Sequence, residues 1–149
     1  MFLATMLGAA VPLAALGARP VSSIDSVTVT ASGGTWPTCS QEVTVEVTAG
    51  GAAKWIVIWP MPGPGFLGGY VGLATLGRIP SGASSVEITV TQDYSVLAEQ
   101  GAAPVWKWDL GLTSRTMRVL NPEPARVSTG AYDFAGRCPT TGTVLASWP

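Results

Sequence analysis

This 149-residue sequence predicts an all-β fold, an antiparallel β-sandwich of seven to nine strands. Three observations carry that expectation. Apolar, mostly β-branched residues recur at every second position in several short runs. Gly-, Pro- and Ser-rich turn signals separate those runs. No long helical period interrupts them.

The elements follow in order. "IDSVTVTA" (24–31) puts Val27, Val29 and Ala31 on one face, with Ser26, Thr28 and Thr30 on the other. "EVTVEVT" (42–48) points Val43, Val45 and Val47 inward, and Glu42, Thr44, Glu46 and Thr48 outward. "WIVIW" (55–59) is apolar on both faces, as in a central strand covered on both sides: Trp55, Val57 and Trp59 share one face, Ile56 and Ile58 the other. An apolar loop over 60–69 and a strand over 70–76 come next. "SVEITVT" (85–91) turns Val86, Ile88 and Val90 inward, and "VWKWDL" (105–110) sets Trp106, Trp108 and Leu110 against Lys107 and Asp109. "TMRVL", "AYDFA" and the final "GTVLASW" complete the set. Turns are expected at "ASGGTWPTCS", "AGGAA", "PSGAS", "GLTS", "NPEP" and "CPTTG", and a helical turn or two at "SVLAEQGAA". The domain is expected to span 24–149, preceded by an apolar arm over 1–23.

Composition narrows function. Only 11% of residues are charged, against roughly 25% in an average soluble chain, and 47% are hydrophobic. So few charges leave part of the surface to be covered by copies of the chain, other subunits or lipid. The two Lys, the single Asn and the abundance of Ala, Gly, Val, Thr and Pro fit a high-GC genome. The net charge is −1, without a basic run; Arg115, Arg118 and Arg126 read as scattered solubilising charges, so no nucleic-acid partner is expected.

The first 18 residues carry no charge. No Lys or Arg precedes Arg19, which counts against a secretory signal, and Pro12 with several Gly counts against a membrane anchor. An arm buried in an assembly is the favoured expectation, with signal and anchor as alternatives. The uncharged stretch from Trp55 to Gly77 is 23 residues long, but Pro60, Pro62, Pro64 and six Gly would leave backbone groups unpaired in lipid, so no membrane span is expected there.

The chain has no His, which excludes a Ser/His/Asp or Cys/His arrangement within one chain. Two Cys without His give no ordinary metal site, and neither metal nor cofactor is expected. "GPGFLGG" lacks the Lys and Ser/Thr of a phosphate loop. Asp93, Glu99, Asp109, Glu123 and Asp133 offer carboxylates, but nine acids always offer some pair, and an enzyme is not expected. Cys39 and Cys138 form a disulfide or remain two buried thiols; the disulfide is favoured.

The six Trp divide by position. Alternation assigns Trp55, Trp106 and Trp108 to the core, whereas Trp36, Trp59 and Trp148 are expected to make contacts outside the domain. With them the expected interface takes in Phe2, Leu3, Met6 and Leu7 of the arm, and Met61, Phe66, Leu67 and Tyr70 of the apolar loop.

"STGAYDFAGRC", with Gly130, Tyr132 and Phe134 ahead of Cys138, resembles the penultimate strand of immunoglobulin-like domains, where a Gly-x-Tyr corner precedes a patterned strand. "TWPTCSQEVTVEVTA" resembles the approach to their second strand and "KWIVIW" their third, Trp-bearing strand. The resemblance covers 24–148, with a long insertion before Tyr132. It departs from the antibody pattern: Tyr132 lies six residues before Cys138 instead of two, and Cys39 precedes its expected strand. The cysteines are therefore expected to join strand ends or loops. Such modules in bacteria and phages are binding or structural parts, which is what the resemblance implies here. The functional expectation is a structural protein of a larger assembly, a virion capsid-decoration or tail protein contacting other subunits and copies of itself. The alternative is a secreted or cell-surface adhesion or carbohydrate-binding module.

Overall fold

Period-two runs of Val, Ile and Thr bury one face each, and two such sheets cover one another. The computed structural model describes residues 22–48, 51–62, 74–94, 105–116, 125–131 and 136–149. Within them lie eight strands and no helix: β1 (Ser23–Thr35), β2 (Thr38–Thr48), β3 (Trp55–Pro62), β4 (Thr75–Arg78), β5 (Ser85–Asp93), β6 (Val105–Thr113), β7 (Ala125–Ala131) and β8 (Val144–Trp148). They form two four-stranded antiparallel sheets, β5-β2-β1-β8 and β4-β3-β6-β7.

The first sheet sends Val27, Val29 and Ala31, Val43, Val45 and Val47, and Val86, Ile88 and Val90 into the core, as alternation predicts. The second answers with Ile56 and Ile58, with Trp106, Trp108, Leu110 and Leu112 of β6, and with Ala125 and Val127 of β7. Tyr94, just past β5, is wholly buried; its ring meets Trp106 edge-on at 4.8 Å and stacks with Trp36 at 6.3 Å. Gln41 and Gln92 also point inward, and their amides make no hydrogen bond, nor do the indole N–H groups of Trp106 and Trp108.

Several boundaries differ from expectation. "ASGGTWPTCS" is not a loop: β1 runs to Thr35, only Trp36 and Pro37 turn the hairpin, and β2 starts at Thr38. Gly34 makes this possible, because its φ of 111° and the Thr38 carbonyl lying where a Cβ would stand both require glycine. Cys39 thus lies inside β2, not ahead of it. β6 continues through "GLT" to Thr113, where a turn was expected, because Leu112 extends the buried row. β3 runs to Pro62 through the start of the expected apolar loop, paired with β6. β4 continues past Leu76 to Arg78. β7 lies over "ARVSTGA", which the sequence did not mark as a strand. The expected helical turn at "SVLAEQGAA" and the bodies of "TMRVL" and "AYDFA" lie outside the described residues. Ser128–Ala131 close β7, while the strand beside the Trp-bearing β3 is β6.

Cys39 and Cys138 are bonded, with Cα atoms 5.5 Å apart and 99 residues of sequence separation. The bridge ties β2 to the loop that leads into β8. Gly142 and Ala31 extend the same tie by backbone hydrogen bonds, Gly142 N–H to the Ala31 carbonyl and Ala31 N–H to the Thr143 carbonyl, both 2.8 Å.

Three stability measurements follow from this architecture. Replacing both Cys39 and Cys138 with Ala should cost about 4–5 kcal/mol in urea unfolding at 25 °C, the chain entropy released by opening a loop near 100 residues. Gly77 faces inward, and a Cβ there would overlap the Ile88 side chain where β4 closes on β5. Gly77→Ala should therefore destabilise by about 1–3 kcal/mol, and adding Ile88→Val should restore part of that loss. Burial raises the pKa of the Tyr94 phenol above its ordinary value near 10. The folded chain thus holds this proton more tightly than the unfolded one. Stability should be full below about pH 10 and fall as pH rises beyond it, and Tyr94→Phe should flatten that alkaline loss.

Candidate functional site

Strand pairing fixes what the outer face of β4-β3-β6-β7 presents. Residues that alternate with the buried rows of β3 and β6 must point away from the core, which gives Trp55, Val57 and Trp59 on β3 and Lys107 and Asp109 on β6. Register aligns these in rows. Arg78 lies opposite Trp55, Leu76 opposite Val57, and Trp59, Asp109 and Arg126 form a row across three strands.

Trp55 and Trp59 are each half-buried, Val57 between them is 4% exposed, and Leu76 at the edge is 49% exposed. The Arg78 guanidinium carbon sits 5.7 Å from the centre of the Trp55 ring, a cation–π contact that orients the side chain along the sheet. Arg126 grips Asp109 with both carboxylate oxygens engaged, Nε to Oδ1 at 2.5 Å and Nη2 to Oδ2 at 2.8 Å. That fork holds two charges flat beside Trp59.

At one end of the sandwich, between β2 and the β4–β5 turn, Lys54 and Arg78 line a cleft of about 410 Å³ with Val47, Thr48, Ser81 and Ser84. Backbone bonds from Lys54 N–H to the Thr113 carbonyl (2.8 Å) and from Ile79 N–H to the Lys54 carbonyl (2.9 Å) fix its walls. No carboxylate lines the cleft.

The two sheets differ in charge. The strands of β5-β2-β1-β8 carry Asp25, Glu42, Glu46, Glu87 and Asp93 and no Lys or Arg. The strands of β4-β3-β6-β7 carry Arg78, Lys107 and Arg126 against the single Asp109. The acidic sheet is also hydroxyl-rich: Thr48 and Ser23 donate to Asp25 at 2.8 and 2.7 Å, and Thr89 donates to Glu42 at 3.1 Å.

The residues expected at an interface fall in different places. Trp59 stands on the outer face of β3. Trp36 lies half-buried in the β1–β2 hairpin against Tyr94, and Trp148 on β8 is 38% exposed. Met61 is in β3. Phe2, Leu3, Met6, Leu7, Phe66, Leu67 and Tyr70 lie outside the described residues. Trp55, assigned to the core by alternation, is instead on the outer face; β3 is apolar on both sides, so its pattern does not say which side faces inward. Arg78, Leu76 and the Asp109–Arg126 pair had no sequence signal, since only strand register brings them beside the two indoles.

Among the described residues no three His, Cys, Asp or Glu side chains cluster, and no helix is long and apolar enough to cross a membrane. Comparison with protein-family models, with curated proteins and with solved structures finds no match to this chain.

Proposed function

We propose that this chain is a non-enzymatic interaction module of a larger protein assembly, and that the outer face of β4-β3-β6-β7 is its contact surface. The observation that carries the reading is the row of Trp55, Val57 and Trp59 beside exposed Leu76. Outward tryptophans with Arg beside them are the composition of interface hot spots. A virion, as capsid decoration or tail component, is the setting that the low charge and the composition fit. The strand order supports an immunoglobulin-like reading of the sandwich: β1, β2 and β5 face β4, β3, β6 and β7 in the order of that fold's two sheets, with β8 added beside β1.

The same two indoles favour a second reading, a carbohydrate-binding module that stacks sugar rings on Trp55 and Trp59. One pair of measurements separates the two. In the protein-assembly reading, Trp59→Ala folds with a loss of no more than about 2 kcal/mol but weakens incorporation of the chain into its native particle by roughly thirtyfold, as an interface hot spot does. It shows no saturable binding on a glycan array before or after substitution. Saturable glycan binding by the parent chain that Trp59→Ala abolishes would overturn the assembly reading in favour of the second.

A further inference from the structure

The two sheet faces carry opposite charge, and each is the complement of the other. On the acidic face Glu46 pairs with Ser85 and Glu87 with Thr44, which makes the two glutamates diagonal neighbours across β2 and β5. Glu42 lies further along the same face of β2. The strands of that sheet contain no Lys or Arg, so Glu42, Glu46 and Glu87 have no basic neighbour within it. On the basic face, Arg78 and Lys107 stand without a carboxylate partner in strand register, while Asp109 is taken up by Arg126. Like charges held in one plane repel, and the cheapest relief for both planes is to bring them together between two molecules.

We infer that the chain associates with a second copy of itself face to back, the basic outer face of β4-β3-β6-β7 of one molecule docking on the acidic outer face of β5-β2-β1-β8 of the next. This rests on the reading of the β4-β3-β6-β7 face as a contact surface and names its partner. The contact is heterologous: each copy offers a different patch, so repetition gives a ring or an open stack, not an isolated two-fold dimer. The hydroxyl-rich acidic face offers Ser and Thr oxygens as acceptors for the indole N–H and guanidinium groups.

Size sets the expected strength. The strands of the basic face hold 8, 4, 9 and 7 residues, so at about 3.3 Å per residue and about 4.8 Å between strands that face is roughly 23 Å by 19 Å. Two such faces bury on the order of 900 Å², the size of a weak, transient contact, so the association is reversible and electrostatically assisted.

Sedimentation velocity of the full chain, over a concentration series at low salt and in half-molar sodium chloride, tests the inference. The weight-average sedimentation coefficient should rise with concentration at low salt, and the association should weaken by at least about tenfold at high salt. Glu46→Lys with Glu87→Lys should leave the chain monomeric at low salt, and so should Arg78→Glu with Lys107→Glu. An equimolar mixture of the two double variants should associate again, because the unaltered basic face of the first meets the unaltered acidic face of the second, whereas each variant alone lacks one of the two complementary faces. That recovery also shows that both variants are folded. A chain that stays monomeric at low salt, or associates with no dependence on salt, overturns the inference. So does a mixture that fails to associate while each variant keeps the parent's unfolding transition. A negative result here leaves the contact-surface reading to its own test, since particle incorporation and glycan binding do not depend on self-association.

Discussion

The separation of the two sheets is set by Trp106 and Trp108. Both indoles are wholly buried on β6, which is bonded on one side to β3 and on the other to β7. Burying about 200 Å² of ring at ~25 cal/mol/Å² contributes about 5 kcal/mol for each. Side chains this large fit only if the facing sheet supplies small ones, and β1 and β2 do so with Val29, Ala31, Cys39 and Val43. Tyr94 fills the remaining end and holds the β1–β2 hairpin through its own N–H bond to the Pro37 carbonyl at 2.8 Å. The arrangement has a cost. The indole N–H groups and the amides of Gln41 and Gln92 are buried without a hydrogen bond, at about 1–3 kcal/mol for each side chain. The aromatic burial and the disulfide offset it.

Much of this fold is legible in the sequence wherever one face is apolar and the other polar. β2 and β5 alternate Val or Ile with Thr and Glu, so strand and inward face are both determined. β3 shows the limit: Trp-Ile-Val-Ile-Trp reads as a strand, but its two apolar faces leave orientation open, and Trp55 went to the wrong side. β7 is invisible because "ARVSTGA" has only Val127 as a strong apolar strand former; Ala125 and Thr129 complete its buried row because pairing with β6 turns that face of β7 to the core. Thr129 repays its burial by accepting the Trp106 backbone N–H at 3.0 Å.

The candidate site was less legible, for a physical reason. Along the chain, acids and bases alternate without pattern: Glu46, Lys54, Arg78, Glu87, Lys107, Asp109. Strand order sorts them, because β2 and β5 join one sheet while β4, β6 and β7 join the other. A chain with so few charges could scatter them as solubilising groups; here topology gathers them by sign. Trp59, marked as an outward contact from sequence, finds its neighbours Asp109 and Arg126 from strands 50 and 67 residues further on, which no local pattern encodes.

The place of β8 bears on how the chain reaches this state. β8 is the last of the eight strands to be made and pairs only with β1, the first, so that Val27 meets Trp148 across 121 residues. Until then β1 has a bare edge beside its β2 pairing, and Val27 and Val29 lack part of their cover. Contacts of such long span are slow to form, placing folding in the range of milliseconds to seconds typical of high contact order. On a ribosome that edge stays open while everything from β2 onward emerges, which makes β1 the strand most exposed to mispairing with a neighbouring chain.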